Sequence, residues 1–266
     1  MLLDPPPVRP LAAAVLLATM AALCLWTWRT HRRLGYKPLQ FPLYLYNLVM
    51  TRIRWRARLE GALPIDPPGG ALIVCNHRSP VDPAFIALAA RRQVHWMVAG
   101  EYCRVPVIGW GLRVLEVIPT SRAGIDTAAM RAAVRYAQQG ELVGMFPEGR
   151  LNTTKEFMLP ARLGAAMVAL RARVPVIPCY VEGGPFEGTV YSFFWLPART
   201  RLVVGRPLDL SGFYGREIDR EVLEQVTRWF MREIAHLAGR EDYEPRIAGK
   251  PWKSVPGEAM VSGEVV

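Results

Sequence analysis

A histidine and an aspartate, His77 and Asp82, stand five positions apart where a predicted strand gives way to a predicted helix. The strand covers residues 71–75 and the helix residues 80–92, so the histidine lies at a strand end and the aspartate in the first helical turn. A carboxylate that accepts the Nδ1–H of an imidazole fixes its tautomer and leaves Nε2 to take a proton. The pair is therefore a candidate general base with its orienting residue.

A structural interpretation is open for both residues. Ser79-x-x-Asp82 has the pattern of a capping box, with Pro80 at the first helical position, and His77 could make only a structural hydrogen bond. Capping and catalysis are compatible, so the capping role does not remove the catalytic one. The other three histidines are predicted to be non-catalytic: His31, His95 and His236.

A second candidate is the turn Phe-Pro-Glu-Gly-Arg at residues 146–150, which follows a strand predicted over 142–146. Loops at the carboxyl ends of strands are where α/β folds build their sites. Proline and glycine make such a turn rigid and sharp, and it is predicted to present Glu148 and Arg150. An exposed turn with an ordinary ion pair would have the same sequence pattern.

A third candidate is Arg122, in the segment Pro-Thr-Ser-Arg at residues 119–122, just past a strand predicted over 114–118. A guanidinium in this place could hold a phosphate through two parallel hydrogen bonds. The alternative is an arginine that is simply solvated.

Several common sites are missing from the sequence. It has no Walker A loop, no G-x-G-x-x-G, no G-x-S-x-G and no H-E-x-x-H, so NTP hydrolysis, dinucleotide redox chemistry, serine hydrolysis and zinc proteolysis lack support. The four cysteines show no C-x-x-C spacing, which argues against a disulfide framework or a thiolate zinc site. No cofactor is expected.

The elements that position these candidates alternate between strand and helix. Further strands are predicted over 94–98, within 174–181 and over 201–205, and further helices over 126–139, 160–171 and 217–237. Asp126 is the expected N-cap of the first of these helices. This order predicts an α/β domain with a mostly parallel sheet flanked by helices, over residues 59–238, followed by a loose C-terminal tail over 239–266.

The N-terminal region, residues 1–58, is predicted to be a membrane anchor. Residues 11–28 are apolar apart from two threonines and would form a helix of about 27 Å, close to the thickness of a bilayer core of about 30 Å. A cleaved signal peptide is the main rival, but the segment lacks a basic start and a small-residue cleavage site. Basic residues directly after the helix would place the following domain on the cytoplasmic side, at a bacterial inner membrane.

Most of the net charge of +10 lies beside this helix. Residues 29–58 hold eight basic side chains and no acidic one, and they enclose an apolar, aromatic stretch over 41–53. In a chain that is 51% hydrophobic, this combination favours an anionic membrane surface as partner and argues against nucleic acid. The alternative is an amphipathic helix packed on its own domain with a solvated basic end.

The motifs together resemble the glycerolipid acyltransferase family, of the 1-acyl-sn-glycerol-3-phosphate acyltransferase type. Asn-His-x4-Asp at 76–82, Arg122, Phe-Pro-Glu-Gly at 146–149 and Val-Pro-x-x-Pro at 174–178 follow one another in the order and approximate spacing of that family. The resemblance covers about residues 55–210.

The resemblance implies transfer of a fatty acyl group from a thioester to a lipid hydroxyl. His77 would be the general base on that hydroxyl and Asp82 would orient it. Arg122 would grip the phosphate of the acceptor, and Glu148 and Gly149 would form the acceptor-binding turn. The donor would be acyl-CoA or acyl-carrier protein, and the favoured acceptor is the sn-2 hydroxyl of lysophosphatidic acid, giving phosphatidic acid.

Two positions depart from the family pattern, and both lie in acceptor-binding elements. Glu116 stands where the family usually has glycine, and Arg150-Leu151-Asn152 stands where it usually has Thr-Arg-Ser, which shifts the basic side chain by one. Another lyso-lipid or a lipid amine therefore remains open as acceptor. A non-catalytic lipid-binding protein of the same fold and a thioesterase-like hydrolase are the alternatives from other classes.

Overall fold

The structure is a computed structural model that describes residues 8–63, 69–121, 127–189 and 191–249. The α-helices in these ranges are α1 (Val8–Leu34), α2 (Gln40–Val49), α3 (Asp82–Ala90), α4 (Pro106–Val114), α5 (Thr127–Gln138), α6 (Gly164–Ala172) and α7 (Arg220–Leu237). The strands are β1 (Arg58–Glu60), β2 (Ala71–Cys75), β3 (Val94–Ala99), β4 (Ile118–Thr120), β5 (Leu142–Met145), β6 (Val176–Glu182) and β7 (Arg201–Val204).

These strands form one sheet in the order β1-β7-β6-β2-β5-β3-β4. All neighbours run parallel except β6 and β7, which are antiparallel. The predicted α/β class with a mostly parallel sheet is confirmed. The arrangement places the carboxyl ends of β2 and β5, which carry the first two candidate motifs, side by side.

The sheet is covered on both faces, because its central strands are apolar throughout. In β2, Leu72 and Val74 face the core formed with α5, α6 and α7, whereas Ala71, Ile73 and Cys75 face the core formed with α3 and Trp55. A strand buried on both faces reads as a continuous hydrophobic run rather than an alternating one. This packing holds the end of β2 rigidly.

Helix α4 and strand β4 differ from the prediction. The strand expected over 114–118 begins only at Ile118, and residues 106–114 form a helix that the sequence did not predict. Two glycines within α4 lower its intrinsic helix propensity. Pro106 stands at the start of the helix, where its fixed φ and missing N–H are tolerated.

Three predicted helices begin later than expected, and the first of them, α3, starts at Asp82 rather than residue 80. Helix α6 starts at Gly164 rather than residue 160, because residues 159–161 bond to other parts of the chain: Leu159 N–H to Glu148, and Ala161 to the segment at 246–248. Helix α7 starts at Arg220 rather than 217, because the Asp219 side chain caps it by accepting the Val222 N–H at 2.8 Å. Asp126, the predicted N-cap of α5, lies outside the described residues.

The first helix, α1, is longer than the predicted 11–28. Within it, Leu11–Leu34 is long and apolar enough to cross a membrane, with a mean hydropathy of 2.0, and none of that apolar window is buried against the rest of the protein. At 1.5 Å per residue, the 27 residues of α1 extend about 40 Å.

The basic segment that follows packs partly on the domain. Phe41 and Trp55 are buried, and Asn47 donates from Nδ2 to the carbonyl oxygen of Ala84 in α3 at 2.9 Å. On the other side Leu39, Tyr46, Val49 and Ile53 are exposed. Helix α2 and the π-helical turn Met50–Arg54 that extends it thus have both an inward face and an exposed apolar face.

The chain after α7 is not loose over its first residues. Ala161 N–H donates to the carbonyl oxygen of Arg246 and Ala248 N–H to that of Ala161, and Tyr243 packs edge-on against Phe157. The part of the predicted tail that the structure describes, up to residue 249, therefore belongs to the packed domain. Residues 250–266 lie outside the described part.

Candidate active site

The loop after β2 is tied to β6 by a buried asparagine. Asn76 donates from Nδ2 to the carbonyl oxygen of Val181 and accepts the Val181 N–H on Oδ1, both at 2.8 Å. A side-chain amide that satisfies both the N–H and the carbonyl oxygen of one residue pairs with it as a neighbouring strand would. Asn76 thereby fixes the backbone from which His77 projects.

His77 and Asp82 lie together as the sequence predicted. His77 Nδ1 and Asp82 Oδ2 are 3.0 Å apart, and because an ionised carboxylate only accepts, Nδ1 carries the hydrogen. The Asp82 side chain is fully buried, whereas 17% of the His77 side chain is exposed. Nε2 has no partner among the described residues, so it can accept a proton from a ligand.

The His77 ring is held by stacking as well. It lies parallel to the Phe146 ring with centroids 3.7 Å apart and 6° between the planes, and Phe146 in turn stacks on Trp96 at 4.7 Å. Stacked aromatic rings prevent the imidazole from rotating about its side-chain bonds. The hydrogen bond to Asp82 and the stack on Phe146 together fix the direction of Nε2.

The Asp82 carboxylate also binds the backbone of the loop that precedes α3. Oδ2 accepts the backbone N–H groups of Arg78 at 2.7 Å and Ser79 at 2.8 Å. The predicted capping box is wrong, because α3 begins at Asp82 with Val81 as its N-cap and without a side-chain cap, and the Ser79 hydroxyl donates to the Pro185 carbonyl oxygen instead. Gly184 covers the other oxygen: a Cβ added there would lie 3.3 Å from Oδ1 and 2.9 Å from the Cβ of Ser79. Only glycine lets this backbone approach so closely.

Glu148 is placed differently from the prediction. Its side chain is buried, with Oε1 accepting the His77 N–H at 2.8 Å and Oε2 accepting the Leu159 N–H at 2.7 Å. Both oxygens are thus committed to the backbone, and the expectation that the turn presents this carboxylate to an acceptor is wrong. Burial raises the pKa of Glu148 to about 7, although the two amides lower it in part.

Gly149 is where the turn needs a glycine. Its φ of +70° lies in the left-handed region, and its N–H donates to the carbonyl oxygen of Phe146 at 2.9 Å. A Cβ at this position would lie 2.7 Å from the Cδ of Arg162. Gly149 is itself exposed, so the outer surface of the turn is open to a ligand while Glu148 faces inward.

Asn152 connects the turn back to His77. Its N–H donates to the His77 carbonyl oxygen at 2.8 Å, and its buried side chain holds the following residues by accepting from Thr154 and donating to the Glu156 carbonyl oxygen. The backbone N–H of His77 is therefore bonded to Glu148, and its backbone carbonyl oxygen to Asn152. From the sequence, Asn152 is expected only as part of a departure from the family pattern.

The two remaining predicted site residues are arginines. Arg122 lies outside the described residues. Arg150 lies one residue after Gly149, partly exposed and engaged with its surroundings. Among the described residues, no three His, Cys, Asp or Glu side chains are grouped closely enough to hold a metal ion.

Glu116, the other departure from the family pattern, stands at a position whose backbone conformation favours glycine. Its φ is +48°, a left-handed conformation in which glycine is the least strained residue. The Glu116 carbonyl oxygen is 2.8 Å from Nδ1 of the buried His95, and its carboxylate pairs with Lys37. The position thus connects the α/β domain to the segment that follows α1.

Replacing Glu148 with glutamine should lower stability and activity together. Glutamine keeps the shape but turns one amide NH2 toward a backbone N–H donor, which leaves a buried donor unsatisfied. We expect a loss of about 1–3 kcal/mol in the free energy of unfolding. Denaturant unfolding in detergent measures this, with Glu187→Gln, at an exposed position, as the control. Equal stability of the two variants would contradict this role.

Comparison with known proteins identifies the relatives of this chain. The family model described as Acyltransferase matches residues 56–182. A 1-acyl-sn-glycerol-3-phosphate acyltransferase of Bacillus subtilis (strain 168) is 25% identical over 181 residues, covering 68% of this chain and 86% of that protein. An uncharacterized protein of Mycobacterium tuberculosis is 31% identical over 236 residues, covering 71% of this chain and 63% of that protein.

The fold has a solved relative. The crystal structure of the 1-acyl-sn-glycerophosphate (LPA) acyltransferase PlsC from Thermotoga maritima superimposes with a TM-score of 0.58. It covers 90% of this chain and 99% of that one, at 19% sequence identity. This likeness supports the same fold, with its mostly parallel sheet and flanking helices.

Proposed function

The chain belongs to the glycerolipid acyltransferase family and is an acyltransferase, and we propose that it acylates the sn-2 hydroxyl of lysophosphatidic acid to give phosphatidic acid. The observation that carries this proposal is the buried Asp82 carboxylate 3.0 Å from Nδ1 of a partly exposed His77, with Nε2 left open. The named activity of the Bacillus subtilis relative supports the choice of acceptor.

The proposed reaction needs only a base and an activated donor. His77 Nε2 takes the proton of the acceptor hydroxyl as its oxygen attacks the thioester carbonyl carbon, forming a tetrahedral intermediate. The new C–O bond remains, the C–S bond breaks, and the protonated imidazole returns the proton to the leaving thiolate. Asp82 stabilises the imidazolium between these two steps. Such base assistance contributes about 10²–10⁴-fold to a rate.

The remaining predicted residues have the following proposed roles. Arg122 and Arg150 would contact the acceptor phosphate, and Gly149 would form the exposed surface of the acceptor-binding turn. Glu148 would act as a positioning residue through the His77 backbone. The donor would be acyl-CoA or acyl-carrier protein, with no cofactor required. Another lyso-lipid or a lipid amine is the alternative acceptor, because the Glu116 and Arg150 departures lie in acceptor-binding elements.

We further propose that α1 holds the enzyme in a membrane. Its exposed apolar surface would lie in the hydrocarbon, with the exposed apolar face of α2 at the interface and the arginines of residues 29–58 on anionic lipid. The basic residues after α1 would keep the catalytic domain on the cytoplasmic face of a bacterial inner membrane. A substrate that itself resides in the bilayer supports this location.

The reaction is tested by thiol release from acyl-CoA with and without lysophosphatidic acid. Acyl transfer predicts thiol release that depends on the acceptor and matches phosphatidic acid formed. Release at the same rate without acceptor would contradict it and identify a thioesterase. Absence of release with every lyso-lipid, together with lipid binding, would identify a non-catalytic protein of this fold.

The anchor is tested by the double substitution Leu16→Arg and Leu17→Arg in α1. Each charge costs about 2.5–3.5 kcal/mol at the centre of a membrane helix, so most of the protein should leave the membrane pellet at alkaline pH. The control is Leu16→Met with Leu17→Met, which keeps the helix apolar. If the arginine variant remains in the pellet as firmly as the methionine variant, α1 does not insert.

A further inference from the structure

A cleft of about 620 Å³ lies beside the loop that carries His77, and none of its lining residues has a role in the reaction proposed above. One wall is formed by residues 154–157, which follow the Phe146–Gly149 turn, and the other by residues 240–246, which follow α7. Its volume is within the range of small-molecule sites, about 300–1,000 Å³.

The cleft is joined directly to the residues around His77. Arg78, the next residue, donates from Nη1 to the carbonyl oxygens of Thr154 at 2.9 Å and Glu156 at 3.0 Å. Asn152 links the same wall to the His77 carbonyl oxygen. The wall of the cleft is therefore bonded to the backbone and side chain of the residues on either side of the His77 peptide.

The lining of the cleft offers flat surfaces. The guanidinium of Arg240 lies 4.3 Å from the centroid of the Phe157 ring, and the edge of Tyr243 meets that ring at 5.3 Å and 73°. A guanidinium plane supported by an aromatic ring can stack on a planar heteroaromatic base. The edges of the same guanidinium can donate to phosphate oxygens.

The charges of the cleft favour an anion. Its two carboxylates are already paired with arginines: Glu156 with Arg246 at 2.8 Å, and Glu244 with Arg232 at 3.1 Å. Lys155 and Arg240 make no ion pair with any residue that the structure describes. Two cations beside a stacking surface fit a phosphorylated nucleotide better than an apolar chain.

We propose that this cleft binds the nucleotide end of coenzyme A, the adenosine 3′,5′-bisphosphate portion of an acyl-CoA donor. The purine stacks at Arg240 and Phe157, and Lys155 and Arg240 contact the phosphates. No bond is made or broken there, and the pantetheine arm carries the thioester to His77. This inference rests on the proposed function, and it selects acyl-CoA over acyl-carrier protein, whose phosphopantetheine lacks the adenosine.

The kinetic test compares acyl-CoA with the matching acyl-phosphopantetheine thioester, which lacks the nucleotide. In Lys155→Gln and Arg240→Gln, KM for acyl-CoA should rise about tenfold relative to KM for acyl-phosphopantetheine, because only the former loses charged hydrogen bonds. The control is Arg131→Gln, an exposed arginine of a separate cleft on α5. Equal changes for both donors, or none, would overturn the proposal.

A binding measurement separates this proposal from the proposed reaction. Adenosine 3′,5′-bisphosphate should bind the full chain in calorimetric titration, and each variant should weaken its binding by about tenfold. If lysophosphatidic acid is not acylated but the nucleotide binds in this manner, the proposed acceptor fails and the cleft stands. If wild type and variants bind the nucleotide equally, or not at all, the cleft is not its site.

Discussion

Replacing His77 with alanine is expected to lower the rate of acyl transfer by about 10²–10⁴-fold, the usual contribution of a positioned general base. The side chain is partly exposed and its ring packs on Phe146, so its removal should affect stability much less than activity. The measurement is kcat with acyl-CoA and lysophosphatidic acid, together with thermal unfolding of the same preparation.

The matched control is His236→Ala. His236 lies on α7, is exposed, and pairs with Glu241 at 3.5 Å. Surface pairs of this kind contribute about 0–1 kcal/mol, so this variant should keep the wild-type kcat. A folded His77→Ala protein that retains most of the wild-type rate would exclude His77 as the base.

The second large effect is expected from Asp82→Asn. Asparagine keeps the volume and one oxygen that can still accept from Arg78 and Ser79, but it removes the charge that stabilises the imidazolium. The corresponding substitution in a serine protease triad costs about 10⁴ in kcat. We expect a fall of about 10²–10⁴-fold here, with little change in KM, because the aspartate touches the base rather than the substrate.

Asp209→Asn is the control for this substitution. Asp209 lies in an exposed turn and bonds only to Ser211 among the described residues, so its change should leave kcat unaffected. Since Asp82 is fully buried, thermal unfolding must accompany the kinetics. A folded Asp82→Asn protein with kcat within about twofold of wild type would remove the orienting role and the charge stabilisation assigned to Asp82.

The sequence predicts the part of the site whose residues are close to one another along the chain. His77 and Asp82 are five residues apart, and the turn between a strand and a helix limits where they can point. The Glu148 carboxylate could not be placed in this manner, because the amide that turns it inward belongs to Leu159, and its second partner is His77 in the loop after another strand. Sequence spacing shows that a turn exists, but not which side chain faces the interior.

The same limit applies to the fold. Short, uninterrupted apolar runs predict the central strands, since strands buried on both faces are continuously hydrophobic. Asn76 bonds to Val181 across 105 positions, and no local pattern reveals such a contact. Helix α4 was not predicted. Its two glycines give the segment a low helix propensity, and tertiary contacts such as Gln40 Nε2 to the Val114 carbonyl oxygen at 3.0 Å stabilise its end.

Mass spectrometry of the lipid products is the most direct test of the central proposal. The full chain is incubated with isotope-labelled acyl-CoA and a mixture of 1-acyl lyso-lipids that includes lysophosphatidic acid, and the acyl positions of the products are read by fragmentation. The expected product is phosphatidic acid with the labelled chain at sn-2, absent in the His77→Ala protein. Label found mainly in another lipid class, or as free fatty acid regardless of acceptor, would contradict the proposed reaction.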